Sequence, residues 1–291
     1  MTESLTAQLK QAARDHGADL AGIAPMERFE GVDRQRHPQS IFPEARSVIV
    51  LGKRITRGCL RGVEEGTQFG LYRTYGVNWV SHRFLASTTV AVSEFLEDRR
   101  WEAVPLPNVP PEAPPMGIPV RVGSPAPNVL LDFIDAAVRA GLGEIGLAGE
   151  LMTPAFGPLQ RLQVILTDAP LEGNPLVAPG SVCDHCGRCA DICPLKAIDA
   201  RNVTERTICG SAMPVAAIDH SRCLRCRNGA VPNDMHARGL PDKLAALCMR
   251  TCLHHLGEAG RLTNPWRQPF RSRPAWAVDD GGQARIVEDR T

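Results

Sequence analysis

The sequence has few aromatic residues, almost no net charge and no long apolar run. Aromatic residues make up 5% of its 291 residues, and only two of them, Tyr72 and Tyr75, are tyrosines. A formal net charge of +1 creates no long-range field that would attract DNA or an acidic membrane surface. No apolar run approaches the length of a membrane span, and the polar start shows no signal peptide or twin-arginine leader. We therefore expect a cytoplasmic protein whose partners include neither DNA nor a membrane.

The pattern of apolar residues predicts intermixed helices and strands over the first part of the chain. Hydrophobic residues make up 43% of the sequence, which is enough for a buried core. The spacing predicts helices over 4–16, 78–98 and 129–140, and strands over 47–52 and 161–168. Nine prolines between Pro105 and Pro127 exclude a helix or a central strand there and predict a long loop. This mixture indicates an α/β or α+β layer domain, and we expect the α+β class.

Prolines and glycines between residues 170 and 180 indicate a linker. The linker divides the chain into a first domain over 1–175, a cysteine-rich domain over 176–256 and a tail over 257–291. The tail interleaves arginines with tryptophans, a pattern that suits either RNA binding or docking onto the rest of the chain. We expect docking, because a formal net charge of only +1 gives the chain little attraction for RNA.

Cysteine is the residue type that carries the most information in this sequence. Nine of the ten cysteines lie between Cys183 and Cys252, and without an export signal such clustering points to metal ligation rather than disulfides. The first group has the spacing C-x2-C-x2-C-x3-C-P and ends at Cys193. Three thiolates at this spacing bind one [4Fe–4S] cluster, and the fourth ligates a second cluster. Zinc, the alternative, is normally held by two separated pairs of ligands.

Two clusters require eight thiolates, so one of the nine cysteines is spare. We assign Cys252 as the last ligand of cluster one, because it closes a C-x3-C pair at the end of the region. Cys209 is the expected spare, and the alternative in which Cys209 replaces Cys223 stays open. The predicted ligands are Cys183, Cys186, Cys189 and Cys252 for cluster one, and Cys193, Cys223, Cys226 and Cys248 for cluster two.

Several segments together resemble a known family of reductases. These segments are GADLAGIAP (17–25), SVIVLG (47–52), the block from AGLGEIG to TDAPLE (140–172), CDHCGRCADICPLKAI (183–198) and DHSRC (219–223). In this order they resemble the epoxyqueuosine reductase family, which is related to the reductive dehalogenases. The resemblance covers roughly residues 5 to 255.

The resemblance implies a fold, cofactors and a reaction. It implies a nitroreductase-like α/β core that holds cobalamin, followed by a ferredoxin-like domain whose two clusters pass electrons to the cobalt. An external ferredoxin, flavodoxin or reductase would supply the electrons, and the substrate would be a small molecule. The glycine-rich turn would lie against the corrinoid through Gly141, Leu142, Gly143 and Gly146; read from the residues alone, it is equally a helix cap and a tight connection. Tyr75 is the candidate proton donor, since related dehalogenases use such a tyrosine.

The sequence departs from the family pattern at three places. Pro127 stands where epoxide-reducing members carry a catalytic aspartate, and Ala245 stands where the second cysteine group would begin. The chain also has a short tail in place of the helical-repeat extension that these members use on tRNA. We therefore expect a relative with a different substrate and no tRNA partner. The alternative is an electron-transfer or accessory protein without corrinoid chemistry of its own.

Overall fold

Helices and strands alternate along the chain in a computed structural model that describes residues 3–287. The helices are α1 Leu5–Asp15, α2 Arg61–Glu64, α3 Ala86–Glu97, α4 Phe133–Arg139, α5 Arg188–Asp191, α6 His220–Leu224 and α7 Leu247–Glu258. The strands are β1 Leu20–Pro25, β2 Ser47–Arg54, β3 Ala103–Leu106, β4 Glu144–Ile145, β5 Leu151–Met152, β6 Gln160–Thr167, β7 Ile198–Ile208, β8 Ser211–Ile218, β9 Ala275–Val278 and β10 Ala284–Val287. Within the described residues, no helix is both long and apolar enough to cross a membrane.

A four-stranded antiparallel sheet forms the centre of the first part, in the order β1-β2-β6-β3. Val50 pairs with Val164 across its two central strands, and both side chains are fully buried. Because successive side chains of a strand point to opposite faces, alternate residues of β2 enter two different hydrophobic clusters. Helices α1 and α3 cover one face and α4 covers the other. The mixed helix and strand content confirms the α+β expectation.

The predicted elements of this part are present, with two local differences: the helix expected over 129–140 begins at Phe133, and the region before α3 is not α-helical. The helix expected over 78–98 is α-helical from Ala86, whereas Tyr72–Asn78 and Val80–Leu85 form π-helical turns. Such wider turns are frequently found at functional sites. No helix or strand lies between Leu106 and Phe133 among the described residues, as the proline density predicts.

A long hairpin of β7 and β8 separates the two cysteine groups and was not predicted from the sequence. Its tip packs against the central sheet domain through Ile208 and Met213, which are both buried. The backbone N–H of Ile145 donates to the Met213 sulfur at 3.2 Å. The hairpin therefore fastens the cysteine region to the first part of the chain.

The tail docks onto the rest of the chain, as expected. Trp276 on β9 donates its indole N–H to the backbone oxygens of Val63 and Glu64, at 2.9 and 3.0 Å. A single hydrophobic cluster contains Val63 from the first part, Leu253 from α7 and Phe270 from the tail. The three segments recognised in the sequence thus share one core.

Candidate iron–sulfur centres and the adjoining cleft

The first cysteine loop is fixed by a buried carboxylate from the glycine-rich turn. Glu144 is 1% exposed, and its Oε1 accepts the backbone N–H groups of Val182 and Cys183 at 2.6 and 3.0 Å. The N–H of Leu147 donates to the Cys183 sulfur at 3.4 Å. Hydrogen bonds of this kind orient a metal ligand and tune the metal it holds. Sequence reasoning missed Glu144, although an acidic residue within an apolar, glycine-rich turn is a usable signal.

The four cysteines predicted for cluster one surround a single small cavity. Cys183, Cys186 and Cys189 come from the loop and the start of α5, and Cys252 comes from α7. Cys186 is exposed, whereas Cys183 and Cys189 are buried. Burial, followed by the charges of the neighbouring cysteines, raises the pKa of Cys189 to about 12 and the pKa of Cys252 well above its ordinary value. Such buried thiols give up their protons when a metal binds.

The four cysteines predicted for cluster two form a second group beside the first. Cys193, Cys223 and Cys226 pack together, and the N–H of Ala197 donates to the Cys193 sulfur at 3.3 Å. Burial raises the pKa of the Cys248 thiol, with further contributions from Cys193, Cys189 and Cys226 nearby. Cys248 and Cys252 lie one turn apart on α7. This helix therefore contributes one thiol to each group.

In neither cysteine group are the sulfurs spaced as they would be around a single metal ion. Tetrahedral zinc with Zn–S bonds of about 2.3 Å would hold its sulfurs about 3.8 Å apart. Among the described residues, one set of three or more His, Cys, Asp or Glu side chains has all its ligand atoms within 4.8 Å of one another. That set is Asp184, Cys186 and His255, so neither cysteine group forms one. The wider separation of the cysteines suits the corners of a cubane better than one zinc ion.

Cys209 lies apart from both groups. It occupies the turn of the β7–β8 hairpin with a φ of 50°. Its sulfur is 3.7 Å from the backbone oxygen of Arg28 and 3.9 Å from the guanidinium of Arg139. The structure brings Cys223, and not Cys209, together with Cys193 and Cys226. The geometry therefore favours Cys209 as the spare cysteine.

An open cleft of about 420 Å³ lies beside the second cysteine group. Its walls come from the start of α4, residues 149–151, the start of β6, strand β8 and residues 240–244. Lys243 and His220 line the cleft, and both adjoin the second group: the charge of Lys243 acts on the thiols of Cys223 and Cys248, and His220 begins the helix that carries Cys223. Nδ1 of His220 is buried and has no hydrogen-bond partner among the described residues.

Three ion pairs stand in the walls of the cleft. They are Asp132 with Arg206, Glu150 with Lys243, and Asp242 with Arg161. Every one of these cations has a carboxylate partner, so the cleft has no strong charge of either sign. Asp132, a residue near the position of the missing family aspartate, also accepts backbone N–H groups at the start of α4.

The two tyrosines have different environments. Tyr75 is 45% exposed and lines a separate surface pocket with Phe84 and Cys59. Tyr72 is 1% exposed and donates its hydroxyl proton to the Asp242 carboxylate, at 2.7 and 2.8 Å from its two oxygens. Burial raises the pKa of Tyr72 well above its ordinary value, and the positive charge of Arg161 opposes that rise. Tyr72 therefore stands directly behind the cleft wall, whereas Tyr75 does not.

The glycine-rich turn is packed in the interior and does not line the cleft. Gly141 has a φ of 69°, as expected of the residue that ends α4. A Cβ on Gly143 would lie 2.2 Å from the backbone oxygen of Met152, and one on Gly146 would crowd the Met152 side chain. Leu142 is buried in the core of the sheet domain. In this part of the chain, residues 149–151 reach the cleft instead.

Comparisons with known proteins find similarity to two kinds of reductase. A tetrachloroethene reductive dehalogenase from Desulfitobacterium hafniense is 29% identical over 216 residues, which cover 65% of this chain and 38% of that protein. An epoxyqueuosine reductase from Synechococcus is 40% identical over 73 residues, which cover 25% of this chain and 22% of that protein. The chain is similar in sequence to both the reductive dehalogenases and the epoxyqueuosine reductases. No family model matches it.

The relationship extends to the fold. A solved catabolic reductive dehalogenase matches with a TM-score of 0.52 at 16% identity, covering 97% of this chain and 40% of that one. Another solved reductive dehalogenase, with the same TM-score, is the basis of a mechanism for B12-dependent dehalogenation. The chain spans 38% of the length of the first curated relatives that it matches.

Proposed function

We propose that this protein is an oxidoreductase that passes electrons through two [4Fe–4S] clusters to an acceptor in the adjoining cleft. The ligands of the clusters would be the two cysteine groups described above, and Cys209 would ligate neither cluster. The electrons would come from an external ferredoxin, flavodoxin or reductase, and the final substrate would be a small molecule. The first part of the chain would be a nitroreductase-like core. The absence of a tRNA partner stays a prediction.

One observation supports the proposal: residues next to the second cysteine group form part of the wall of an open cleft, whereas the first group has an exposed cysteine. Cys186 of the first group is exposed, so an outside donor can approach that group. The second group is mostly buried, and residues of its surroundings form part of the cleft wall. Two clusters held by these groups would connect a donor at the exposed Cys186 with an acceptor in the cleft.

Cobalamin is the acceptor that the relatives suggest, and the groups in the cleft fit its chemistry. A corrinoid ring carries amides around its edge. The cleft offers the Asn108 amide and Nδ1 of His220, which has no hydrogen-bond partner among the described residues, to such groups. When bound, a corrinoid would supply a strongly reducing cobalt centre. Tyr72, behind Arg161 and Asp242, is better placed than Tyr75 to hold a proton for this site.

Anaerobic reconstitution tests the proposal in two stages. The chain should bind about eight iron and eight sulfide, because two four-iron clusters need that many. It should then retain about one cobalt per chain after gel filtration with cobalamin, with a changed visible spectrum. Val215→Trp should block cobalt retention, because Val215 lines the cleft, whereas Val203→Trp on the exposed part of the hairpin should not.

The outcomes separate the two parts of the proposal. A clean result of four iron would remove the second cluster. Eight iron without cobalt at micromolar protein would remove the corrinoid and favour the second candidate function, an electron-transfer module for a partner enzyme. The three ion pairs that occupy the cleft walls are the observation in favour of that module, since they already satisfy the charged groups there.

A further inference from the structure

We propose that Lys243 is a positioned charge that raises the reduction potential of cluster two and thereby sets the driving force for electron delivery to the cleft. The inference rests on the cluster ligands of the proposed function. It concerns a residue that lines the cleft and is not itself a predicted cluster ligand. No other buried lysine occurs among the described residues.

Lys243 lies in the wall of the cleft, four residues before the start of α7. Its side chain is 6% exposed, and its Nζ lies 3.1 Å from Oε1 of Glu150. The same side chain lines the cleft, and the backbone around it leads directly into α7, which carries Cys248. Its positive charge acts on the thiols of both Cys223 and Cys248.

Burial makes this charge effective. In the interior the effective dielectric constant is far below that of water, so a unit charge a few ångströms from a cluster interacts with it strongly. A cluster becomes more negative when it accepts an electron, and a nearby cation therefore stabilises the reduced form. Local charge is one of the means by which proteins set the potential of such clusters.

The groups around Lys243 leave its charge only partly compensated on the side of the cysteines. Glu150 is more exposed than Lys243 and belongs to the cleft side of the wall. His220 is neutral, because burial and the charge of Lys243 lower its pKa. We therefore expect Lys243 to change the reduction potential of cluster two more than that of cluster one. The four cysteines of cluster one lie farther along α7 and in the first loop.

The test is a redox titration of the reconstituted chain, followed by electron paramagnetic resonance. At a fixed potential, Lys243→Met should lower the ratio of reduced to oxidised cluster two about tenfold, which is equivalent to about 59 mV for one electron. Lys243→Arg keeps the charge and should restore most of the ratio. Lys196→Met is the matched control: Lys196 is exposed and three residues from Cys193, so water screens its charge and the ratio should hardly change.

Iron content distinguishes failure of this inference from failure of the proposed function. If the wild-type chain binds four iron, the assignment of cluster two fails. If wild type binds eight iron and Lys243→Met binds fewer, Lys243 holds the cluster structurally, and the tuning role is wrong. An unchanged ratio in fully loaded Lys243→Met, or an equal shift in Lys243→Arg, would also overturn the inference.

Discussion

Among single residues, Cys209 and Cys223 give the clearest contrast. Cys223 packs with Cys193 in the second group, whereas Cys209 contacts arginines at the far end of the hairpin. We predict that Cys209→Ser retains about eight iron and unchanged paramagnetic signals, and that Cys223→Ser loses cluster two, because a missing thiolate leaves one iron to a weaker oxygen ligand. Iron analysis and electron paramagnetic resonance after anaerobic reconstitution would show this. The reverse result would make Cys209 the ligand.

Cys193 tests the crossing of ligands between the two groups. It belongs to the first motif in sequence but lies with Cys223 and Cys226 in space. Cys193→Ala should therefore abolish the signal of cluster two and leave most of the signal of cluster one. Cys189→Ala, in the same motif, should do the opposite. Loss of cluster one alone from the Cys193 variant would contradict the crossed arrangement.

The two tyrosines provide a further test at this scale. Tyr72→Phe removes a buried hydroxyl that donates to Asp242 and accepts from Arg161 at 2.7 Å. We expect it to lower the free energy of unfolding by about 1–3 kcal/mol, the usual cost of leaving buried polar groups unpaired. Tyr75→Phe, on the surface, should change it by less than about 0.5 kcal/mol. Urea unfolding under anaerobic conditions measures both, and equal effects would contradict the different roles of the two residues.

Helix α7 joins the two candidate centres to the rest of the chain. Arg250 lies between its two cysteines and is fully buried, paired with Glu64 and donating to the backbone of Ala245 and Asn228. Arg271 from the tail pairs with the same carboxylate. Glu64 thus connects α2, α7 and the tail through one ionic cluster. This cluster holds the helix that presents a thiol to each group.

We predict that Glu64→Gln lowers the free energy of unfolding by about 3–5 kcal/mol, since it removes the charge of a buried carboxylate that pairs with two buried arginines. Glu65→Gln is the matched control, because Glu65 pairs with exposed arginines and should contribute at most about 1 kcal/mol. Chemical unfolding of both variants at pH 7 measures the difference. Similar losses in the two variants would contradict the role of the buried cluster.

The pH dependence of this effect has a definite sign. Burial alone would raise the pKa of Glu64, but the hydrogen bond from Arg271 and the charges of Arg250 and Arg271 outweigh burial and lower it. A lowered pKa means that the carboxylate stabilises the fold above its ordinary pKa and loses that contribution as the pH falls through the folded value. The difference between wild type and Glu64→Gln should therefore shrink in acid.

At the scale of the whole molecule, the cysteines of the candidate centres form part of a hydrophobic core. Cys183, Cys189 and Cys248 belong to the same hydrophobic cluster as Leu60 and Phe270. The clusters would thus support contacts between all three segments of the chain. The four-stranded sheet has separate cores on its two faces and depends less on them.

We predict that chelation of the iron lowers the melting temperature and increases backbone hydrogen exchange in only part of the chain. Metal binding that occurs only in the folded state adds to its stability, so removing the metal takes that contribution away. Hydrogen exchange should rise in residues 181–256 and in the tail while β2 and β6 stay protected. Mass spectrometry of the anaerobic holo and apo proteins would show this; uniform exchange throughout would indicate that the centres do not organise the shared core.

The sequence alone was sufficient wherever the relevant pattern is local. The spacing of the first cysteine group predicts its chemistry because three thiolates within seven residues must lie close together. Likewise, β-branched residues over 47–52 and proline density over 105–127 act on their own backbone, and the structure agrees with both expectations. The mixed α+β class followed from these local signals.

The tertiary structure decided which distant residues meet. Tyr72 bonds to Asp242, 170 positions away, and Glu144 reaches Cys183 across the linker. Neither contact has a local signature, since it depends on the path of the backbone through the sheet and the hairpin. The choice between Cys209 and Cys223 depends on the same path: the hairpin carries Cys209 away to the sheet domain and returns the chain to the cysteine groups at Cys223. The sequence predicts how many cysteines are needed as ligands, but only tertiary packing brings eight of them into two groups.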